Sequence, residues 1–563
     1  MLNLRTFCIV TVILVFQTES IAQFRNISSN SVEEDMLLST NLNLISTNKF
    51  YPQSAEFIGQ LSSSERILFS NKQFDYFQWN NPEYFGNKRV KFTQLNFIKK
   101  QSDNGFYLNP NRFYSWESND RKDYFVVNPV LDLSIGKDFK SSNSILYNGR
   151  GVQVLGQFGD KLVFQTTMVE YQAEFQDNFN QYKSKFNVFP GLGNAQVNSF
   201  KYWDYFNAKG SLTAKLLEKI DPLNKIDSVN YQIVASFGHD KQFIGSGFRS
   251  LIISDFAPQS LFLQVNYKLG PFRYQNLFKQ LISNTKDSNR IFNKKYLALH
   301  RGSLQLFNNV FEIGLTEMIV QSRKDNSFDA NYLNPVIFYR SIERELGSGD
   351  NAFIALDAKY TNKQFLAYGQ ILIDEFEVKK VFSTVSSRNK LGYQLGFYIK
   401  PQIGFLKQNY INLEYNQVTP FTYSHWTNSF YSSYNQPMAH PLESNFREVL
   451  LRLFFVPQNL QRWTFRNITS LALKGFDING GNYGSDIRKS YYTAVDKDKS
   501  VIGQGDKSRI FNMLNEVTFY AMPNLLLQLT QQFRSQSNIN QSNNYLYFSI
   551  KYNFTDTRSQ TVF

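Results

Sequence analysis

The fold class this sequence predicts is all-β, a transmembrane antiparallel barrel of about 18 strands with a small, partly helical N-terminal region. Three observations predict it. The N-terminus has the layout of an export signal. Pieces of about ten residues alternate apolar with polar side chains, the length and pattern of a barrel strand. Aromatic residues make up 16% of the 563 residues, with 54 Phe against 29 Gly.

The N-terminus sets the compartment. Arg5 supplies a positive charge, Phe7 to Phe16 is an apolar run broken only by Thr11, and Ser20-Ile21-Ala22 places small residues where a signal peptidase reads. The run is too short to cross a bilayer as a helix. Cleavage after Ala22 would leave 541 residues, starting at Gln23. The one cysteine, Cys8, lies in that leader. The mature chain then has no disulfide, thiolate metal site or cysteine nucleophile, and no cysteine at the cleavage point to carry lipid. A secreted chain without disulfides needs another device to hold it, and a closed barrel, in which every backbone group pairs with a neighbouring strand, is one.

Composition agrees. No Pro-rich, Gly/Ser-rich or single-charge tract divides the chain, so it reads as one large unit after residue 118. The expected organisation is 1–22 leader, 23–118 N-terminal region with short helices and first strands, and 119–563 barrel. Mean hydropathy is −0.37, as expected where only every second side chain meets lipid. The net charge of +14 suits lipopolysaccharide phosphates or acidic polysaccharide, or is a basic surface without a specific partner. An exported protein does not routinely meet nucleic acid.

Four pieces carry the alternation most clearly. In 261–269, Leu261, Leu263, Val265, Tyr267 and Leu269 oppose Gln264, Asn266 and Lys268. In 391–400, Leu391, Tyr393, Leu395, Phe397 and Ile399 oppose Gln394, Tyr398 and Lys400. In 410–416, Ile411, Leu413 and Tyr415 oppose Asn412, Glu414 and Asn416. In 545–554, Leu546, Phe548, Ile550, Tyr552 and Phe554 oppose Ser549, Lys551 and Asn553, an aromatic-rich piece suited to closing a barrel. Strands of a soluble sandwich alternate too, but run nearer 5 or 6 residues. Further strands are expected at 123–136, 149–159, 161–173, 229–238, 247–256, 270–281, 300–308 and 310–320. The series continues at 334–340, 352–360, 364–374, 447–456, 462–473, 511–520 and 524–534. These make 19; single-chain bacterial barrels have even numbers, so about 18 is expected. The 270–281 piece also fits a helical face through Tyr274, Leu277, Phe278 and Leu281. Ser31-Val32-Glu33-Glu34 and Ser62-Ser63-Ser64-Glu65 match capping boxes. Leu212, Leu216, Leu217 and Ile220, stopped by Asp221-Pro222, predict a short amphipathic helix.

Signals for chemistry are sparse. His239, His300, His425 and His440 show no i, i+4 pair for zinc. There is no Gly-x-Ser-x-Gly elbow and no phosphate-binding loop ending in Lys-Ser/Thr. Gly245-Ser246-Gly247 reads as a turn or a relief of crowding. Asp477 to Asp486 has oxygens and glycines that would wrap calcium but lacks a terminal bidentate Glu, and a flexible surface loop is the better reading. No catalytic, cofactor or metal residue is assigned, and the chain is expected not to be an enzyme. The stretch 419–441 is too long for a periplasmic turn. It holds Phe421, Tyr423, His425, Trp426 and Tyr431 among hydroxyls and amides, the residue mix of sugar or protein recognition; the alternative is a self-packed loop capping the barrel.

Gly149-Arg150-Gly151, then Gly245-Ser246-Gly247-Phe248-Arg249-Ser250-Leu251-Ile252-Ile253-Ser254-Asp255-Phe256-Ala257-Pro258, Gly270-Pro271-Phe272-Arg273-Tyr274 and Asn334-Pro335-Val336 resemble the Wzi-like capsule-assembly family of outer-membrane barrels, its gliding-motility branch most of all. The resemblance implies an 18-stranded barrel with a helical N-terminal part. It also implies a role in attaching exopolysaccharide or capsule, or in gliding motility. No catalytic residue comes with it. The expected partners are outer-membrane lipid and lipopolysaccharide, with exopolysaccharide or motility and secretion proteins at the external loops. A diffusion channel or a secretion-system accessory barrel is the alternative. Bulky Tyr, Phe and Gln on the polar face favour a filled lumen over an open one.

Overall fold

The computed structural model describes residues 123–552, with short internal stretches left out (142, 160, 200–201, 221–228, 287–291, 308, 363, 376–388, 461, 497–499 and 523–524). It also describes the strands Asn48–Phe50, Phe106–Asn109 and Arg112–Glu117. The leader and both capping boxes lie outside the described residues.

Eighteen antiparallel strands close the wall. In chain order they are β1 (Tyr124–Asp138), β2 (Ser144–Phe158), β3 (Leu162–Glu174), β4 (Trp203–Ile220), β5 (Val229–Asp240) and β6 (Ser260–Leu269). Then come β7 (Phe272–Lys286), β8 (Phe292–Leu306), β9 (Phe311–Gln321), β10 (Asn351–Thr361), β11 (Phe365–Glu375) and β12 (Lys390–Ile399). The wall ends with β13 (Leu406–Val418), β14 (Phe446–Pro457), β15 (Trp463–Phe476), β16 (Asp506–Met522), β17 (Leu525–Gln536) and β18 (Gln541–Tyr552). Pairing of β18 with β1, from Tyr545 against Asp138 to Tyr552 against Leu131, closes the ring.

The alternation read from the sequence sorts inside from outside. On β6, Leu261, Leu263 and Leu269 are exposed while Gln264, Asn266 and Lys268 are buried. On β12, Leu395 is 67% exposed and Gln394 and Tyr398 are buried. Apolar residues outside and polar residues inside are the arrangement of a barrel in a membrane. Among the described residues no helix is long and apolar enough to cross a bilayer, so any crossing is made by the strands.

The two ends of the barrel differ in their connections. Those after β2, β4, β6, β8, β10, β12, β14 and β16 are short, down to two residues at Gly270-Pro271, whereas loops 175–202, 241–259, 322–350, 419–445 and 477–505 gather at the opposite end. Short periplasmic turns and long external loops orient such barrels, so the long-loop end is the outer one.

Three expected elements are corrected. Residues 247–256 are not a strand: they fold into the lumen, where their side chains are buried on every side and carry no period of two. Residues 334–340 are likewise outside the wall and lead into the helix α2 (Tyr339–Leu346); α1 (Asp177–Phe186) precedes it in the loop after β3. The helix expected around Leu212–Ile220 is instead part of β4. A bulge between Lys215 and Leu217 inserts Leu216 as an extra residue. It turns Leu212, Leu216 and Leu217 all to the exposed side, mimicking a helical spacing. Two removed and one added bring 19 strands to 18. The 270–281 piece is a strand, β7, paired without a break from Leu269/Phe272 through Phe262/Lys279.

The largest core cluster sits inside the barrel near the long-loop end. It joins Leu251, Ile252 and Ile253 of the inward loop to wall residues from Phe262 on β6 round to Ile510 on β16.

Candidate functional site

Two arrangements at the long-loop end are candidates: an interior plug and an aromatic rim.

The plug is loop 241–259, and wall carboxylates hold it. Glu414, on the polar face of β13, accepts the backbone N–H of Phe248 (2.8 Å) and Arg249 (3.1 Å) as well as the Tyr368 hydroxyl (2.6 Å) and Asn416 Nδ2 (2.8 Å). Consecutive N–H groups on one carboxylate are charge-assisted hydrogen bonds, stronger than neutral ones. They require the backbone to lie against Glu414: a Cβ on Gly247 would stand 2.3 Å from its Oε2. That close approach accounts for the glycine. One strand over, Glu448 meets the Arg249 guanidinium (Nη2–Oε1, 3.3 Å) and His440 Nε2 (2.8 Å), all three fully or almost fully buried. Arg452 stacks over the Phe248 ring at 4.4 Å. Gln394 donates to the Arg249 carbonyl (2.9 Å), and Leu251 N–H donates to Gln370 Oε1 (2.8 Å).

Loop 419–445 locks the other side. The Tyr423 hydroxyl donates to the Leu251 carbonyl (2.8 Å), the Tyr431 hydroxyl to that of Ile252 (2.7 Å), and Ser254 N–H to the Met438 carbonyl (2.8 Å). Gln436 ties this loop to the one carrying α1 through Gly191 N–H and the Leu192 carbonyl. Arg488, from loop 477–505, pairs with Glu443 (2.7 Å) and lies over Phe186 of α1 (4.0 Å). Four external loops thus close on one another across the mouth.

The five residues singled out from sequence divide accordingly. Phe421, Tyr423 and Tyr431 are buried, as in the self-packed alternative: their apolar rings pack inside and two hydroxyls clamp the plug. His425 is half-buried beside Thr427 (Nδ1–Oγ1, 2.8 Å). Burial, with Lys390 close by, pushes its imidazole down to about 4, so it is neutral near pH 7. Trp426 alone of the five is well exposed, at 50%. Beside it stand Tyr491 and the exposed Tyr492, which sequence reading missed: His425 is 5.5 Å from Trp426 and 6.4 Å from Tyr491, and the two tyrosine rings are 4.7 Å apart. The Tyr491-Tyr492 doublet in a long polar loop was the available signal.

The other site suggested by sequence, loop 477–486, spends its oxygens internally. Asp477 accepts Tyr483 N–H (2.9 Å) and pairs with Lys489 (2.7 Å), while Asp486 pairs with Arg488 (2.6 Å). Among the described residues no group of three or more His, Cys, Asp or Glu is placed to hold a metal ion.

No family model matches the chain, and no curated protein matches it. Among solved structures it is similar to Wzi of Escherichia coli, an outer-membrane protein involved in group 1 capsule assembly and described as a carbohydrate-binding β-barrel. The TM-score is 0.48 at 12% identity, over 76% of this chain and 84% of that one. It is also similar to OprD of Pseudomonas aeruginosa (0.40, 10%, 76% and 94%) and OccAB2 of Acinetobacter baumannii (0.42, 10%, 76% and 97%).

Proposed function

We propose that this chain is an exported outer-membrane barrel that organises the cell surface, holding exopolysaccharide or capsule at its long-loop end, and that it is neither a diffusion channel nor an enzyme. The observation that carries the reading is the plug: loop 241–259 is bound to Gln370, Gln394, Glu414 and Glu448 of the wall and to Tyr423 and Tyr431 above it. A channel needs a continuous hydrated path, and this polar face is engaged in holding protein. The rim of Trp426, Tyr491 and Tyr492 gives a polysaccharide flat apolar faces with hydroxyls beside them. A role in gliding motility, through the same external end, rests on the sequence resemblance.

The test is binding of surface polysaccharide extracted from the native bacterium to the purified barrel, wild type against Trp426→Ala/Tyr492→Ala. The expected result is at least a tenfold loss with unchanged heat-modifiable gel mobility. Equal binding by both would remove the rim from the account, and no binding by either would remove the polysaccharide.

A further inference from the structure

Part of loop 322–350 folds down the outside of the wall. The parity of the strands shows this. On β8, His300 lies on the face of the exposed Leu304 and Leu306; on β9, Glu317 lies on the face of the exposed Leu315. The lumen takes the opposite face, where Arg301 pairs with Asp357 and Glu312. Yet His300 and Glu317, although they point outward, are buried.

Residues 328–342 are what covers them. Tyr339 stacks on His300 (4.3 Å between ring centroids), and Phe328 packs edge-on to Phe278 and Tyr296. Glu317 accepts His300 Nε2 (3.0 Å) and the backbone N–H groups of Tyr339 (2.7 Å) and Arg340 (2.8 Å), the first turn of α2. The residue before α2, Phe338, gives that helix no side-chain cap, so a wall carboxylate supplies it. The lowest tether is the Tyr274 hydroxyl, which donates to the Pro335 carbonyl. Tyr274 stands opposite Gly302, two residues farther from the long-loop end than His300. The neck is closed by Asp350, which accepts from Nη1 and Nη2 of Arg323 and from the hydroxyls of Tyr332 and Ser348.

The strap turns apolar residues away from the barrel at its lowest point. Val336 is 81% exposed, and Leu333, Ile337 and Phe338 are exposed with it. Four such residues in six, in a water-facing loop, would be an apolar patch without a reason. His300 lies six residues above Leu306 at the short-turn end of β8, about 15 Å up a strand rising ~3.3 Å per residue at the usual tilt, within a lipid band about 25 Å tall.

We propose that residues 328–347 are a membrane-dipping strap whose Leu333, Val336, Ile337 and Phe338 insert among lipid acyl chains of the outer leaflet. The occupant is lipid because the patch continues the apolar outer face of β8, β9 and β10, where Leu304, Leu315, Ile354 and Leu356 are exposed. The strap also shields the outward Glu317 and His300, polar side chains that would be costly against hydrocarbon. This inference rests on the wall being membrane-spanning and not on any bound polysaccharide.

A single thiol tests it in the full-length protein in liposomes, with Cys8→Ser wherever the leader is retained. Val336→Cys, or Ile337→Cys if the first does not assemble, is labelled with an environment-sensitive fluorophore. It is quenched either by lipid-borne nitroxide or by aqueous iodide. Leu395→Cys reports the lipid face elsewhere on the wall, and Ser327→Cys an exposed loop. Nitroxide quenching at 336 comparable to that at 395, with several-fold less iodide quenching than at 327, is expected. Iodide quenching equal to that at 327 overturns the strap's insertion, and protection from both quenchers overturns lipid in favour of a protein partner. Loss of nitroxide quenching at 395 as well would overturn the membrane reading itself.

Discussion

The plug and the strap are held by the same device on opposite faces of one wall. Inside, Glu414 accepts consecutive N–H groups of Phe248 and Arg249; outside, Glu317 accepts those of Tyr339 and Arg340. What surrounds each carboxylate differs. Beside Glu414 lies a second buried glutamate, Glu448, matched by Arg249 and His440, and the plug is buried from Gln242 through Pro258. Beside Glu317 there is His300 and an aromatic cover, and the segment shows apolar residues outward. A loop anchored by polar side chains on every side can fill a polar lumen; a loop tied to the wall at Glu317 and Tyr274 and bearing an apolar outer surface suits the lipid side.

Breaking this comparison should cost most at the ion pair. Arg249→Leu leaves Glu448 buried without its guanidinium, and removal of one partner from a buried pair costs about 3–5 kcal/mol. The expected outcome is a lower temperature for loss of heat-modifiable mobility, with ion conductance gained in planar bilayers. Gly247→Ala places a methyl against Glu414 and Tyr368. Overpacking of that kind costs about 1–3 kcal/mol and should give the same two changes at smaller size. On the outer face, Glu317→Gln retains one acceptor oxygen but turns an NH2 toward the other N–H donors, a loss of about 1–3 kcal/mol. It should raise protease cleavage within 328–347 and leave conductance at the wild-type level; a conductance gain would mean that the two faces are coupled.

The smallest effects belong to the rim. Trp426→Ala should change thermal stability by no more than about 0.5 kcal/mol, while weakening polysaccharide binding. His425 gives a pH dependence whose sign is fixed. Its folded-state pKa is pushed down to about 4 from an ordinary 6.5, so the unfolded chain takes up the proton first. Stability is therefore full above about 6.5 and falls as pH drops toward about 4. Wild type should lose more thermal stability than His425→Gln between pH 7 and pH 5.

The wall was legible in the sequence because lipid imposes one simple rule on every strand. Leu391 to Lys400 and Leu261 to Leu269 follow it residue by residue. The plug was not legible. Leu251-Ile252-Ile253 is apolar for a strand's reason or a core's, and only the wall around it decides. At β4 a single bulged residue, Leu216, shifted the phase and counterfeited a helix. The aromatic loop was legible only as a choice: Phe421, Tyr423 and Tyr431 have the composition of a recognition surface or of a self-packed cap, and only the plug's carbonyls, which engage the two tyrosine hydroxyls, decide for packing at these three. One clue to the strap was present. Glu317 interrupts Phe311, Ile313, Leu315 and Ile319 on the lipid-facing side of β9, and a charge in that register has to be covered by something.

The central claim, a barrel plugged by its own loop, is tested most directly by single-channel recording of the full-length wild-type protein in planar bilayers, with Arg249→Ala alongside. The account predicts little steady conductance in the wild type and frequent openings in the variant. A wide, steadily open wild-type channel would contradict it.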